Sequence, residues 1–401
     1  MKKYTDEFPW RYAAAKGKEL LLQGMDGSPK GRYRAGKAAG FDIEMVLSES
    51  PTVVKGITLL PTQDIVSRQG AVLPRAFDIR TVPERESWTS LFIGQHTRIN
   101  AYVFDVGSRL IRDHDADHVW FVYNGSGICY TDYGNFGYRA GDFIYVPRGT
   151  LTCLTARSGG TRMIGIESTQ GFRKRARSVY DNIMVPYNEF VVSLPIPEYV
   201  EDSEELRTVL VRRGGQWSEI TYAYTPFLCL AWQGTPYPFA IHSSKLNLPY
   251  VDSIHPDPSN FAVFVSPDGS AMISVLGSRR VHSLPYDHAN PLTEVLFYAK
   301  EYDARKGSDG GVGESGTATV HPMGVWHGPQ MAAFENWKKP ASPKDLPYID
   351  DLAIMFETAD ALFPTLDAKE TLIPGYENSW LRSWEEYQSR HPKGMGGVGG
   401  W

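Results

Sequence analysis

The chain has 401 residues, of which 42% are hydrophobic, 22% charged and 12% aromatic, and its formal net charge is -5. That profile fits a soluble globular protein with core enough for one large domain or two ordinary ones. The acid excess gives no electrostatic reason to expect nucleic acid or an anionic membrane as partner.

With 38 glycines and 27 prolines, many turns and short strands are expected rather than a helical bundle. Cys129, Cys153 and Cys229 are odd in number and widely spaced. They form neither a metal-binding pair nor a disulfide framework, and a reducing compartment is the expected home. The N-terminus lacks an apolar core of signal-peptide length, and no run approaches a membrane-spanning length. The expectation is a cytoplasmic protein.

Residues 1–40 carry nine Lys or Arg against four acids and read as a solvated lead-in. Short apolar runs from Ile43 to Ile79 alternate with Pro and Ser and are expected to be strands. Together, residues 1–90 form an N-terminal extension.

From Ser87 the pattern sharpens into SLFIG, INAYVFDVG, HVWFVYNGSGICYTDYG and FIYVPRG, β-rich runs broken at turn residues. Short strands at this spacing indicate a sandwich or barrel over residues 91–185. The basic cluster in residues 170–180 reads as a surface connection between two halves, with anion binding as the lesser alternative. Residues 200–222 are more polar and hold a Gly214-Gly215 turn. Residues 186–401 are expected to form a second module with a short C-terminal helix, on which Trp380, Trp384 and Tyr387 fall at i, i+4, i+7 as a packing face. The closing GMGGVGGW reads as a mobile tail.

The stretch from Tyr286 to Pro329 holds His288, Glu294 and His327. Two imidazoles and one carboxylate are the donor set of a facial triad, which leaves coordination positions open for a substrate and O2. His288 and Glu294 are six apart, so an extended chain points both to one face. His327 follows a turn set by Pro322 and Gly324.

An internal repeat organises the chain. Gly141-x5-Pro147-x-Gly149 recurs as Gly316-x5-Pro322-x-Gly324, and DHDADHVWFVY (113–123) resembles DHANPLTEVLFY (287–298). The second copy has His327 three residues after its last glycine; the first has Thr152. His118 stands where the second copy offers Glu294, and it lies close to His114. Two copies of one β-module are expected, the second with a complete ligand set. The first copy is expected to be a structural partner, with a vestigial or separate metal site at His114 and His118 as the lesser alternative.

The repeated G(x)5PxG motif resembles the second motif of the cupin superfamily, which implies two jelly-roll modules with metal ligands inside a barrel mouth. Within it, HPDPSNFAVF (255–264), YDHANPLTEVLFY (286–298), HPMGVWHGP (321–329) and MFET (355–358) resemble the homogentisate 1,2-dioxygenase family. The resemblance covers roughly residues 110–390. It implies Fe(II) held by His288, Glu294 and His327, and His255 as the catalytic base acting on a substrate hydroxyl. Tyr286, His321, Tyr302 and Lys300 become substrate-binding candidates. It further implies a soluble oxidoreductase of tyrosine and phenylalanine catabolism that opens a 1,4-dihydroxyaromatic acid such as homogentisate with O2, giving maleylacetoacetate. Assembly into a homo-oligomer, a trimer or hexamer, follows from the same resemblance.

The chain departs from the family at Ala289, where an arginine is usual, and at Lys300, where a point charge replaces a forked donor. These departures keep gentisate, hydroquinone or another diol open as substrate. A metal-dependent isomerase or a binding bicupin is the reading from a different class.

Overall fold

The computed structural model describes residues 11–12, 31–38, 41–47, 54–60, 73–157, 159–174, 191–198, 206–246, 262–280, 289–300, 312–325, 327–328, 330, 345 and 347–390. The architecture is mostly β, as expected: two jelly-roll modules, an N-terminal extension that contributes strands, and one short C-terminal helix, Ser379–Arg390.

Each module is built around a three-stranded unit. In the first, Asp117–Asn124 lies between Asp142–Val146 and Thr161–Ser168, all antiparallel. In the second, Thr293–Tyr298 lies between Thr317–His321 and Ala353–Thr358. The registers correspond: His118 pairs with Val146 on one side and Glu167 on the other, and Glu294 pairs with His321 and Glu357. The sequence repeat is thus a structural repeat, residue on residue, at the positions that matter for chemistry.

These central strands read as nearly continuous apolar runs because both their faces are covered. Side chains alternate across a strand. Val119 and Phe121 therefore enter one core while Trp120 and Val122 enter another. Likewise Val295 and Phe297 join the first core, and Leu296 and Tyr298 a third. The shared core lies between the modules, where Phe121 and Phe297 meet at 6.2 Å. The other two cores fill the separate barrels. By parity His118 and Glu167 face the first barrel's interior, and Glu294, His321 and Glu357 face the second's.

Segments from the chain's ends complete the sheets. Arg75–Asp78, from within the first 90 residues, pairs with Thr317–His321 in the second module's sheet. Phe363–Pro364 pairs with Thr89–Ile93 in the first module's sheet. Arg207–Arg213 runs parallel to Leu110–Asp113, and Phe239–His242 pairs with Asp142–Val146, so both belong to the first module's sheets. The sheets interleave segments from either side of residues 90 and 185. The three cysteines are free, and burial pushes the thiols of Cys129 and Cys229 well above their ordinary range. Among the described residues no helix is long and apolar enough to cross a membrane.

Candidate metal centre

Glu294, His321 and His327 are all buried, and one ligand atom of each lies within 4.8 Å of the others. Glu294 and His321 arrive on adjacent strands as direct cross-strand partners. His327 arrives from the turn after Pro322, whose Gly324 N–H donates to the carbonyl of Asn290 at 2.8 Å. Gly324 there has φ +73°, a left-handed conformation that a side chain resists. The same Asn290 donates its side-chain amide to Glu294 Oε1. The turn and the carboxylate are thereby fixed to one another.

His327 Nδ1 donates to the Val325 carbonyl at 2.9 Å, which sets the ring's orientation and presents Nε2 toward Glu294 Oε2 at 2.7 Å. Two donors bound cis at ~2.1 Å from one ion lie ~3.0 Å apart, so this separation suits a shared metal. A backbone carbonyl on the far nitrogen is the usual support for a ligating imidazole. The nitrogen and oxygen donors and their spacing fit a divalent transition metal.

The His321 ring lies 4.1 Å from that of His327 and 25° from parallel to it, with Nδ1 4.0 Å from Glu294 Oε2. Its Nε2 meets Tyr376 Oη at 2.8 Å. Trp380 closes the group. Its ring stands edge-on to both His321 and Tyr376, and its indole N–H donates to the Gly328 carbonyl at 3.1 Å, one residue past His327. The aromatic stripe read as a packing face on the C-terminal helix therefore packs, through Trp380, against the centre itself. On the other flank Glu357, buried and opposite Glu294, accepts from Ser274 Oγ at 3.2 Å.

Of the sequence-based site residues, the structure brings together Glu294, His327 and His321. His255, Tyr286, His288 and Tyr302 lie outside the described residues. Lys300 is not at the centre. Its side chain is half exposed and pairs with Asp350 at 3.0 Å. It lies in a bend just past the end of the Thr293–Tyr298 strand. The residues that sequence reasoning missed are Asn290, Glu357 and Tyr376. Asn290 and Glu357 stood in motifs already singled out, and only pairing register could show that they face the carboxylate. Tyr376 is joined to the centre by tertiary packing alone.

The equivalent place in the first barrel holds a different solution. Position for position, His118 stands for Glu294, Val146 for His321, Thr152 for His327 and Glu167 for Glu357. Asp113, His118 and Glu167 do cluster, with His118 Nε2 2.7 Å from Asp113 Oδ2. Arg212 runs into the middle of them. Its guanidinium donates to both oxygens of Asp113 and to Glu167 Oε1 at 2.8 Å, while Asn100 covers Glu167 Oε2 at 2.8 Å. Burial alone would raise the Asp113 carboxyl, but the bonds and charges of His118 and Arg212 outweigh it and hold it below the usual carboxylate range. Burial disfavours the Arg212 charge too, yet Glu167 and Asp113 raise its pKa beyond the ordinary value. The adjoining cavity is 20 Å³, room for one water and not for a substrate. A guanidinium supplies here the positive charge that a metal would supply in the second barrel. His114 is not a member of this cluster. Burial, with help from Arg112 and Arg213, pushes its pKa down.

Comparison with known proteins agrees with this division. Residues 246–390 match the family model described as Homogentisate 1,2-dioxygenase C-terminal. A Saccharolobus solfataricus protein, named provisionally as a dioxygenase, is 27% identical over 68% of this chain and 70% of its own length. Homogentisate 1,2-dioxygenase of Emericella nidulans is 26% identical over 64% of this chain, which spans 59% of that relative. The Legionella pneumophila (strain Corby) enzyme of the same name is 24% identical over 72% of this chain and 71% of its own. Among solved structures, a cupin 2 conserved barrel protein from Leptotrichia buccalis overlays with a TM-score of 0.34 at 10% identity, covering 74% of this chain and 99% of that one. The family match thus falls on the module that carries Glu294, His321 and His327, and the chain is similar there to the C-terminal part of homogentisate 1,2-dioxygenases.

Proposed function

We propose that this protein is an extradiol-type ring-cleaving dioxygenase that uses Fe(II) and O2 on a 1,4-dihydroxyaromatic acid such as homogentisate. The observation that carries the reading is the buried Glu294–His327 pair, with its donors 2.7 Å apart and both flanks fixed by Asn290 and the Val325 carbonyl. Glu294 and His327 would hold the metal, together with His288. Bound there, iron would supply open coordination positions at which a substrate hydroxyl and O2 could sit side by side.

The chain's own groups do the rest. His255 removes a proton from a substrate hydroxyl, work for which an imidazole is suited near neutral pH. Tyr286 and Tyr302 orient the ring. Tyr376 holds His321 by its Nε2, so that Nδ1 stays turned toward Glu294 and can hold or pass a proton at that atom. The burial of Glu294, His321 and His327 keeps bulk water from the reacting groups. Both atoms of O2 enter the ring-opened product, maleylacetoacetate when the substrate is homogentisate. A cytoplasmic homo-oligomer, a trimer or hexamer, completes the proposal.

Lys300 favours one second reading. With its ammonium paired to Asp350 at the surface, recognition of a substrate carboxylate falls to other residues. Diols without an acetate arm, such as hydroquinone, or with a shorter one, such as gentisate, are then the alternative. Metal analysis of anaerobically purified protein, followed by oxygen uptake with homogentisate, gentisate and hydroquinone, separates these. Iron with no uptake on any of them would leave the fold intact and overturn the activity.

A further inference from the structure

A carboxylate of the second module holds a turn of the first. Asp360 lies two residues past the Ala353–Thr358 strand. Its Oδ2 accepts from the backbone N–H groups of His96 and Thr97 and from the Thr97 hydroxyl, each at 2.7 Å. These donors sit in the Gly94–Thr97 turn, which the Gly94 N–H closes on the Thr97 carbonyl at 2.8 Å. The approach needs glycine at 94, since a Cβ there would stand 2.5 Å from the Asp360 Cβ. With the Thr97 proton directed to Asp360, the 2.9 Å contact between the Thr97 and Thr358 hydroxyls is donated by Thr358. That hydroxyl accepts in turn from the Asp360 N–H at 3.1 Å. The ring of bonds closes on itself, and chains of this kind strengthen one another.

The carbonyl of the same residue serves the metal centre. It accepts from the Thr293 hydroxyl at 2.9 Å, and Thr293 Oγ1 accepts from the Met323 N–H at 3.4 Å. Thr293 precedes Glu294, and Met323 stands in the Pro322–Gly324 turn that delivers His327. The first module does this job differently. Asp117 precedes His118 as Thr293 precedes Glu294, and it accepts at 3.0 Å from the N–H of Arg148, the residue after Pro147. A carboxylate has no proton to place, whereas a hydroxyl must send its one proton elsewhere before a lone pair faces an N–H donor. The Asp360 carbonyl receives that proton. At 3.4 Å the Met323 bond is near the limit of a hydrogen bond, so it depends on the Thr293 hydroxyl being held in place.

We infer that Asp360 is a positioning residue for the metal centre, clasping the first module's Gly94–Thr97 turn to the Thr293–Met323 bond and so to the turn that carries His327. The clasp itself stands apart from the proposed function; only its role toward the metal rests on Glu294, His321 and His327 forming a metal centre. Amide exchange followed by mass spectrometry on the full-length, chelator-stripped protein tests the clasp. Loss of bonds to a charged acceptor should speed exchange about tenfold in Asp360→Ala, both at residues 94–97 and at residues 322–325. Asp360→Asn, which keeps an acceptor oxygen, should speed both by less. Thr293→Val should speed the 322–325 turn alone, and adding Asp360→Ala to it should speed that turn no further. The Ser126–Thr131 strand should exchange as in the parent throughout. Co(II) affinity should fall about tenfold in Asp360→Ala and in Thr293→Val. A parent that takes up no Co(II) overturns the metal reading and with it the positioning role, while the exchange result alone still decides the clasp. An unchanged 322–325 turn in Asp360→Ala and Asp360→Asn, effects that multiply in the double variant, matching acceleration of the Ser126–Thr131 strand, or Co(II) affinity equal to the parent's would each overturn the assignment.

Discussion

Replacing Arg212 by methionine tests whether the first barrel carries its own resident cation. Arg212 is fully buried and its guanidinium bonds both oxygens of Asp113 and one of Glu167. A methionine fills similar volume but leaves two carboxylates in the barrel with only His118 and Asn100 beside them. Breaking a buried ion pair from one side costs about 3–5 kcal/mol. Unfolding entropy for a chain of this length is roughly 0.8 kcal/mol/K, so the melting temperature should fall by ~4–6 °C near pH 7. The pH dependence gives a sharper test. In the parent, Asp113 has a lowered pKa, so the stability it contributes is present above the ordinary carboxylate value of about 4 and is lost as pH falls through its own lower value. In the variant His118 alone is left to offset the burial of Asp113, whose pKa should rise toward or above the ordinary value. The gap between parent and variant should therefore be widest near pH 7 and narrow toward pH 5. Scanning calorimetry at both values decides it: a gap under 1 °C at pH 7, or one that stays constant with pH, refutes the resident-cation account.

Three further outcomes follow from the same geometry. Tyr376→Phe should retain metal while turnover falls roughly 10–100-fold, the usual cost of removing an outer partner of a metal site; metal content and kcat measured on one preparation check this. Saturating the centre with iron should raise the melting temperature by ~3 °C for ligand at one hundred times Kd, and Glu294→Ala should abolish that rise; a persisting rise would place the metal elsewhere. Gly165→Ala should destabilise the first module by about 1–3 kcal/mol, because its Cβ would stand 2.5 Å from the Val119 carbonyl oxygen and 2.7 Å from the Trp120 ring on the neighbouring strand; chemical denaturation midpoints read it directly.

The sequence made the module legible because its signals are local and repeated. The two glycine–proline turns fixed where strands end, and the alternation in HVWFVY and TEVLFY fixed which residues share a face. That was enough to set Glu294 and His327 in one barrel and to show Thr152 as the missing ligand of the other. What stayed hidden depends on register between distant strands. Arg212 lies 99 residues from Asp113, and nothing in RTVLVRR marks which arginine turns inward. Tyr376 reaches His321 across 55 residues by packing alone. The partner of Lys300, Asp350, was hidden in the same way, since it lies 50 residues on and is reached from the bend after Tyr298.

The pairing of Arg75–Asp78 with Thr317–His321 bears on how the protein is made. The strand carrying His321 has its outer neighbour in a segment that leaves the ribosome before the whole of the first barrel, more than two hundred residues earlier. Contacts of such long sequence separation form late. Until that early segment is recovered, the His321 strand presents an open edge, the feature by which β proteins most readily join the wrong partner. A fragment starting at residue 186 would keep every ligand named above and lack that neighbour. Co-expressing a piece bearing residues 73–85 should restore its solubility, because that piece would cover the open edge.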